Sequence, residues 1–302
     1  MISVTSMPLP PVTLANRVGR LIGEDGSYAA YEQVGAQLRS VIDEALPDDW
    51  DWAGKRILDF GAGAGRTLRH FSAEAERARF EACDIDTAAI EWLNANLSPP
   101  FQGFVNAPSP PLACAADRYD LVYAFSVFTH ISDAWAAWLI ELHRVLAPDG
   151  LLIASFLGEG MSRAIADEPW IPERIGMNVL NAHQGWDAGG PSVLMSPWWI
   201  REHWGRAFEI IAVQEGSLGG THGLIVARPR HGTVTEPDLL HSDPADDREV
   251  RALRHSIAQV QREAAATAAE LERTIRGYEQ SRSWRLTAPL RWRPARTRSP
   301  RR

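Results

Sequence analysis

The chain has 302 residues, 45% of them hydrophobic and 23% charged, an ordinary globular composition with enough length to bury a sizeable core in one or two domains. No window approaches 18 uninterrupted apolar residues, and the N-terminal MISVTSMPLPPV lacks the basic and apolar regions of a signal peptide. Cys83 and Cys114 are the only cysteines, which fits reduced cytosolic thiols better than a disulfide framework. Charge is lopsided: residues 273–302 hold ten arginines against Glu279 alone, so within an overall −7 the preceding body carries −16. An acidic body with a basic tail predicts an interaction segment at the C-terminus.

In chain order, residues 1–50 read as a lead-in containing one amphipathic helix, YAAYEQVGAQLRSVIDEAL (28–46). Short β-like runs then alternate with helical patterns from residue 51. The runs are RILDF (56–60), RFEACD (79–84), FQGFV (101–105), YDLVYAF (119–125) and LLIASF (151–156), with helices expected at about 65–75, 87–97 and 134–147. Ala147-Pro148-Asp149-Gly150 is a stop and turn signal. This alternation predicts an α/β fold with a parallel sheet covered on both faces.

The pattern breaks at 157–195, a stretch rich in Gly, Pro and Trp without a sustained period, read as a lid or insert over the site. Ser196-Pro197 opens a short helix, PWWIREHWGRAF. FEIIAV (208–213) and GLIVAR (223–228) follow as an antiparallel pair that completes a domain spanning 51–228. Residues 229–248 read as a linker. From Val250 apolar positions recur at 3-4-3-4 spacing (Val250, Leu253, Ile257, Val260, Ala264, Thr267, Leu271, Thr274, Tyr278), which predicts a coiled coil over 249–281. A solvated helix lying back on the body is the alternative. The basic tail, 282–302, interleaves arginine with tryptophan and leucine in SRSWRLTAPLRW.

The segment ILDFGAGAGR (57–66) carries the chemistry. Glycines 61, 63 and 65 form a tight turn behind a strand. A dinucleotide fingerprint needs glycine three positions after the second, and Arg66 stands there instead. Asp59 beside the turn disfavours a pyrophosphate and suits a cationic group such as the ammonium of S-adenosylmethionine. Asp84, ending the second strand, can take both hydroxyls of a ribose.

LDFGAGAGR, CDIDTAAIEWL, YDLVYAFSVFTHI and LHRVLAPDGLLIAS resemble the successive motifs of class I S-adenosylmethionine-dependent methyltransferases, over roughly residues 50–156 and out to about 228 with the final strand pair. The resemblance implies a doubly wound, mostly parallel, seven-stranded Rossmann-like sheet of order 3-2-1-4-5-7-6, followed here by the helical coiled-coil extension. It implies S-adenosyl-L-methionine as cofactor, with Asp59 near the methionine ammonium and Gly61, Ala62, Gly63 and Gly65 against the cofactor. Asp84 would hold the ribose beside Ile85, Asn106 would meet the adenine edge, and Phe125 and Ser126 would face cofactor and acceptor.

For the chemistry, His130 in FTHISD stands where the family pattern places a base, and capping of the next helix is an equal reading. His183 and Asp187 in the insert are further candidates, whereas His222 reads as structural. Trp170, Trp186, Trp198 and Trp199 suit either sugar stacking or packing. Asp133, His183 and Asp187 are too scattered for a metal site.

A coiled coil followed by S-x-SWRLTAPLR also resembles the C-termini of bacterial enzymes that build cell-surface polysaccharides. It implies a sugar hydroxyl as acceptor, a homo-oligomer formed through the coiled coil, and a cytoplasmic enzyme held by its tail at the inner membrane face or on a synthesis complex. The alternatives are a small-molecule O- or N-methyltransferase and a non-catalytic scaffold of the same fold. The acidic body disfavours nucleic acid.

Overall fold

The computed structural model describes residues 7–16, 22–23, 26–165, 170–185 and 189–286. The chain divides into two compact units, Met1–Ser256 and Ile257–Arg302.

In the first unit, α1 (Val12–Ala15) and α2 (Ala29–Ala45) precede β1 (Arg56–Phe60), β2 (Arg79–Asp84), α3 (Thr87–Asn96), β3 (Gln102–Val105), β4 (Tyr119–Ala124) and α4 (Trp135–Val145). There follow β5 (Leu146–Leu157), α5 (Glu159–Ile165), β6 (Met177–Leu180), β7 (Ser192–Met195), α6 (Pro197–His203), β8 (Phe208–Leu218), β9 (His222–Pro229) and α7 (Glu236–Leu240). α8 (Asp247–Gln280) begins in this unit and continues into the second, which ends with α9 (Arg282–Leu286).

β1 to β5 form a parallel sheet in the order β3-β2-β1-β4-β5. β9 runs antiparallel beside β5, and β8 lies outside it. With β8 and β9 as sixth and seventh strands, this is the order 3-2-1-4-5-7-6. The central strands are apolar on both faces, as a sheet covered on both sides requires. One face packs Leu139, Leu142 and Trp138 of α4, Ile200 of α6 and Leu239 of α7. The other packs Leu38 and Ile42 of α2 and Leu93 of α3.

Three features depart from the expectations. The sheet has nine strands, because β6 and β7 form an antiparallel hairpin inside the supposedly irregular insert, joined to the end of β5 through Leu157 and Leu194. No α-helix forms at 65–75; turns and two short 3₁₀ segments, Leu68–Phe71 and Glu74–Glu76, stand there. Gly65 closes the glycine turn with a φ of +78°, in the left-handed region, and the backbone after it runs in these short segments. Finally, Ala147–Gly150 forms a bulge within β5, where the register against β4 shifts between Tyr119 and Leu121.

Within the stretch read as a linker, Thr235 caps α7 by a capping box with Asp238, and Leu239 is fully buried. The first turn of α8 is also anchored: Glu249 bonds His203 at 2.8 Å with both side chains buried, and the His203 ring stacks on Trp199. α8 is one continuous 34-residue helix whose Leu253, Ile257, Val260, Leu271 and Tyr278 are each more than half exposed. Among the described residues, no helix is long and apolar enough to cross a membrane. The tail beyond Leu286 lies outside the described residues.

Candidate functional site

Parallel strands deliver their C-terminal residues to one edge of the sheet, where a crevice opens at the point at which strand order reverses. A cavity of about 750 Å³ lies at this edge. β1 brings Asp59 and β2 brings Asp84; the glycine turn, the ends of β3 and β4, and the β7 segment supply much of the remaining wall. Of the predicted cofactor residues, Asp59, Gly61, Ala62, Gly63, Asp84, Ile85, Asn106, Phe125 and Ser126 all line it.

Gly65 does not. A Cβ there would meet Leu97 and Leu93 of the α3 segment, so this glycine serves packing beneath the turn. The turn also differs electrostatically from the expected arrangement. The N–H groups of Gly61 and Ala62 donate to the Cys83 carbonyl, and that of Gly63 donates to Asp84 Oδ2 at 2.7 Å. Their donors are thus spent inside the protein, which suits close approach of a neutral or cationic ligand rather than capture of a phosphate. At Gly63 a side chain would project toward open space on the cavity wall.

Asp84 therefore has two duties. Its Oδ2 ties down Gly63 and its Oδ1 accepts from the Asp86 backbone at 2.8 Å, yet a carboxylate has about four lone-pair positions and keeps capacity for a diol. Asp86 in turn caps α3 through the N–H groups of Ala88 and Ala89.

Asp59 is almost fully buried, and its Oδ2 lacks a partner. Burial pushes its carboxyl up to about 8; Asp84 nearby raises it further, while the Tyr123 hydroxyl and Arg66 act in the opposite sense. Arg66, the residue that stands in for the missing glycine, also lines the cavity with a buried Nε that has no partner, and burial lowers its pKa. The Tyr31 hydroxyl of α2 is likewise buried and unpartnered, and desolvation pushes it up to about 12. α2 reaches the turn because Gly35 sits directly on the Arg66 carbonyl and the His70 ring, leaving no room for a side chain. An acid, a cation and a phenol thus face one cavity with unmet bonding capacity.

His130 lines the same cavity, and its Nδ1 lies 2.8 Å from the Pro191 carbonyl. A carbonyl only accepts, so Nδ1 carries the hydrogen and Nε2 the lone pair. Helix capping is not its role: α4 starts at Trp135 with Ala134 as N-cap and no side-chain cap bond. His183 is exposed on the β6–β7 connection and is absent from the cavity wall; Asp187 and Trp186 lie outside the described residues. Trp170 joins a core cluster with Leu180 and Leu194, and Trp198 and Trp199 pack around the Arg248–His203 region, so none of the three meets the cavity. Among the described residues, no group of three or more His, Cys, Asp or Glu could hold a metal ion.

The family signature of a methyltransferase domain matches residues 28–183, more than half of the chain. The chain belongs to the methyltransferase-domain family. Curated relatives of this methyltransferase-domain protein include the ubiquinone biosynthesis O-methyltransferase of Cereibacter sphaeroides, 27% identical over 141 residues that make up 45% of this chain and 56% of the relative. The malonyl-[acyl-carrier protein] O-methyltransferase of Hahella chejuensis is 30% identical over 126 residues, 42% of each chain. The chain spans about half the length of the curated relatives it matches. Among solved structures, a Pyrococcus horikoshii protein aligns at a TM-score of 0.51 with 16% identity, covering 71% of this chain and 98% of its own. An S-adenosylmethionine-dependent methyltransferase of Mesorhizobium loti aligns at 0.50 with 17% identity, covering 64% and 98%. These likenesses show the fold.

The unpartnered atoms fit S-adenosylmethionine, the methyl donor that the sequence motifs imply. Its amino-acid end carries an ammonium and a carboxylate, which Asp59 and the Arg66–Tyr31 pair complement. Asp84 suits the ribose, and the buried, unpartnered Oδ1 of Asn106 can accept from an adenine amino group. Arg66 and Tyr31 are the residues that motif reading missed. Gly35 inside an otherwise regular helix was the available signal that α2 lies against the turn.

Proposed function

We propose that this chain is an S-adenosylmethionine-dependent O-methyltransferase in which His130 is the base. The observation that carries the reading is a single cavity lined by Asp59, Arg66 and Tyr31, whose Oδ2, Nε and hydroxyl are buried without a partner, together with an imidazole whose tautomer is fixed by Pro191. When bound, the cofactor supplies a methyl group on a sulfonium. Asp59 would hold the ammonium, the Arg66 and Tyr31 side chains the carboxylate, and Asp84 the ribose, so that the methyl group would be presented to the acceptor. Positioning of this kind supplies much of the rate. His130 Nε2 would take the acceptor's hydroxyl proton as the methyl group passes from the sulfonium to that oxygen, a contribution of about 10²- to 10⁴-fold.

The acceptor assigned here is a sugar hydroxyl of a surface polysaccharide or its precursor. Support comes from the resemblance of SRSWRLTAPLR to the C-termini of polysaccharide-building enzymes. The exposed apolar seam of α8 supports pairing of two copies through a coiled coil, and the basic tail supports docking at an anionic membrane face. A small-molecule acceptor is the second reading, favoured by the name of the Cereibacter sphaeroides relative, a ubiquinone biosynthesis O-methyltransferase.

Methyl-labelled S-adenosylmethionine is incubated with the protein and a lipid-linked glycan extract, alongside an Asp84→Ala variant and protein-free extract. Label in the glycan fraction with intact protein alone is the expected result. Cofactor binding without label in glycan transfers the assignment to the small-molecule reading. Absence of cofactor binding refutes the enzyme and leaves the scaffold.

A further inference from the structure

His222 opens β9, opposite Leu157 of β5 and Leu218 of β8. That register puts it on the cavity wall together with His130, Met161 and Ser192. The scheme above gives it no task. Its Nδ1 lies 3.0 Å from the Thr221 hydroxyl, and that hydroxyl is 3.4 Å from the Leu218 carbonyl. Thr221 has one proton, and the carbonyl has none to offer in return, so the hydroxyl donates to Leu218 and accepts from the ring. Nδ1 of His222 therefore carries its hydrogen, and the lone pair sits on Nε2.

His130 reaches the same tautomer by another route, through Pro191. Two imidazoles in one cavity thus each hold an Nε2 lone pair. Burial keeps His222 below the ordinary histidine range, and the charges of His130 and Arg66 act in the same direction, so at neutral pH it remains an acceptor. Strand pairing brings the two segments to one end of β5: Leu157 pairs with His222 on one side and with Leu194 of β7 on the other, and the Val193 N–H of β7 bonds the Thr129 carbonyl beside His130. Two acceptors on one wall call for a ligand with two donors. A pair of adjacent hydroxyls satisfies that condition.

Resting on the methyltransferase reading, we propose that His222 is an acceptor-binding residue and that the acceptor is a vicinal diol. One hydroxyl meets His130 Nε2 and is methylated. The other donates to His222 Nε2, which orients the first. Once the methyl ether has formed, the His130 side has lost its donor, so the product keeps one of two anchoring bonds and is released without a second methylation of the same pair.

The test uses the full chain labelled with ¹⁵N at histidine and saturated with S-adenosylhomocysteine, saturation being verified first by calorimetry. It is titrated with cis-1,2-cyclohexanediol and, separately, with cyclohexanol. Expected are Nδ1–H tautomers for both rings, a shift of both Nε2 resonances with the diol, and a shift of the His130 resonance alone with cyclohexanol. His222→Phe should weaken the diol about 3- to 10-fold, the loss of one hydrogen bond, and leave cyclohexanol unchanged. Should that variant fail to take up S-adenosylhomocysteine, the resonances of the unaltered protein decide. An Nε2–H tautomer at His222, or a diol that leaves its Nε2 resonance unmoved, overturns the proposal. Failure of the unaltered protein to bind S-adenosylhomocysteine overturns instead the reading on which it rests.

Discussion

Asp59 makes the cofactor's charge measurable as a proton. In the ligand-free protein, burial raises this carboxyl from 3.8 to about 8, so at pH 7 the protonated form is favoured. On the proposed reading, S-adenosylhomocysteine brings an ammonium to the carboxyl and restores the ionised form. Binding at pH 7 should therefore release a proton. Because the bound state has lost a proton that the free state holds, higher pH favours binding. Affinity should rise about tenfold per pH unit between roughly pH 5 and 8 and level off above. The sign for folding is opposite. A raised pKa stabilises the ligand-free fold most at pH values below the unfolded carboxyl's 3.8, and that stability is lost, at up to about 1.4 kcal/mol per pH unit, until pH passes about 8. Calorimetric titration at several pH values, in two buffers of different ionisation enthalpy, yields the proton count directly. Asp59→Asn should show no linked proton and no pH slope, with affinity about 10- to 100-fold below the parent at pH 8.5, the worth of one charge-assisted bond, and close to it at pH 6. Zero proton release at pH 7 in the unaltered protein, or an equal slope in the variant, would refute the argument.

His130→Gln should lower kcat about 10²- to 10⁴-fold in the labelled-methyl assay while leaving S-adenosylhomocysteine affinity within about twofold, since a base acts on the acceptor. In Gly61→Ala, a φ of +85° and the Val127 side chain both oppose the new methyl group; a loss of about 1–3 kcal/mol in denaturant unfolding is expected, against no comparable clash at Gly63. His203→Ala strands Glu249 in a buried environment and should cost about 3–5 kcal/mol in the same assay, with a double variant that also carries Glu249→Leu recovering part of it. If the α8 seam pairs two copies, Val260→Asp combined with Leu271→Asp converts a dimer to a monomer in sedimentation without altering cofactor affinity.

The strands were legible because a doubly covered sheet demands apolar runs, and RILDF and YDLVYA largely meet that demand, while RFEACD shows only alternation of Phe80 and Ala82 with charged residues. Asp59 and Asp84 were legible by position: Asp84 is the last residue of β2 and Asp59 the last but one of β1. The glycine turn misled in part. Spacing showed that a helix could start behind it, but the segment there settles into turns and two short 3₁₀ pieces, Leu68–Phe71 and Glu74–Glu76. β6 and β7 have four residues each, too short for periodicity to separate from loop.

The remaining site residues depend on distance along the chain. Tyr31 and Arg66 meet only because α2 folds onto the turn, and His130 and His222, 92 positions apart, share a wall only because β9 inserts beside β5. Each of these residues has a bland local reading: a helix tyrosine, a cation where glycine was wanted, a strand-end histidine. What separates them from that reading is burial without a partner for Tyr31 and Arg66, and a shared cavity with a fixed tautomer for His222. Both are properties of the assembled fold. An unmet donor or acceptor costs about 1–3 kcal/mol where it is buried, and the fold retains such groups at the edge of the sheet where its topology opens a crevice. On the proposed reading, the bonds unmet at Asp59, Arg66 and Tyr31 are ones that the cofactor would complete on arrival.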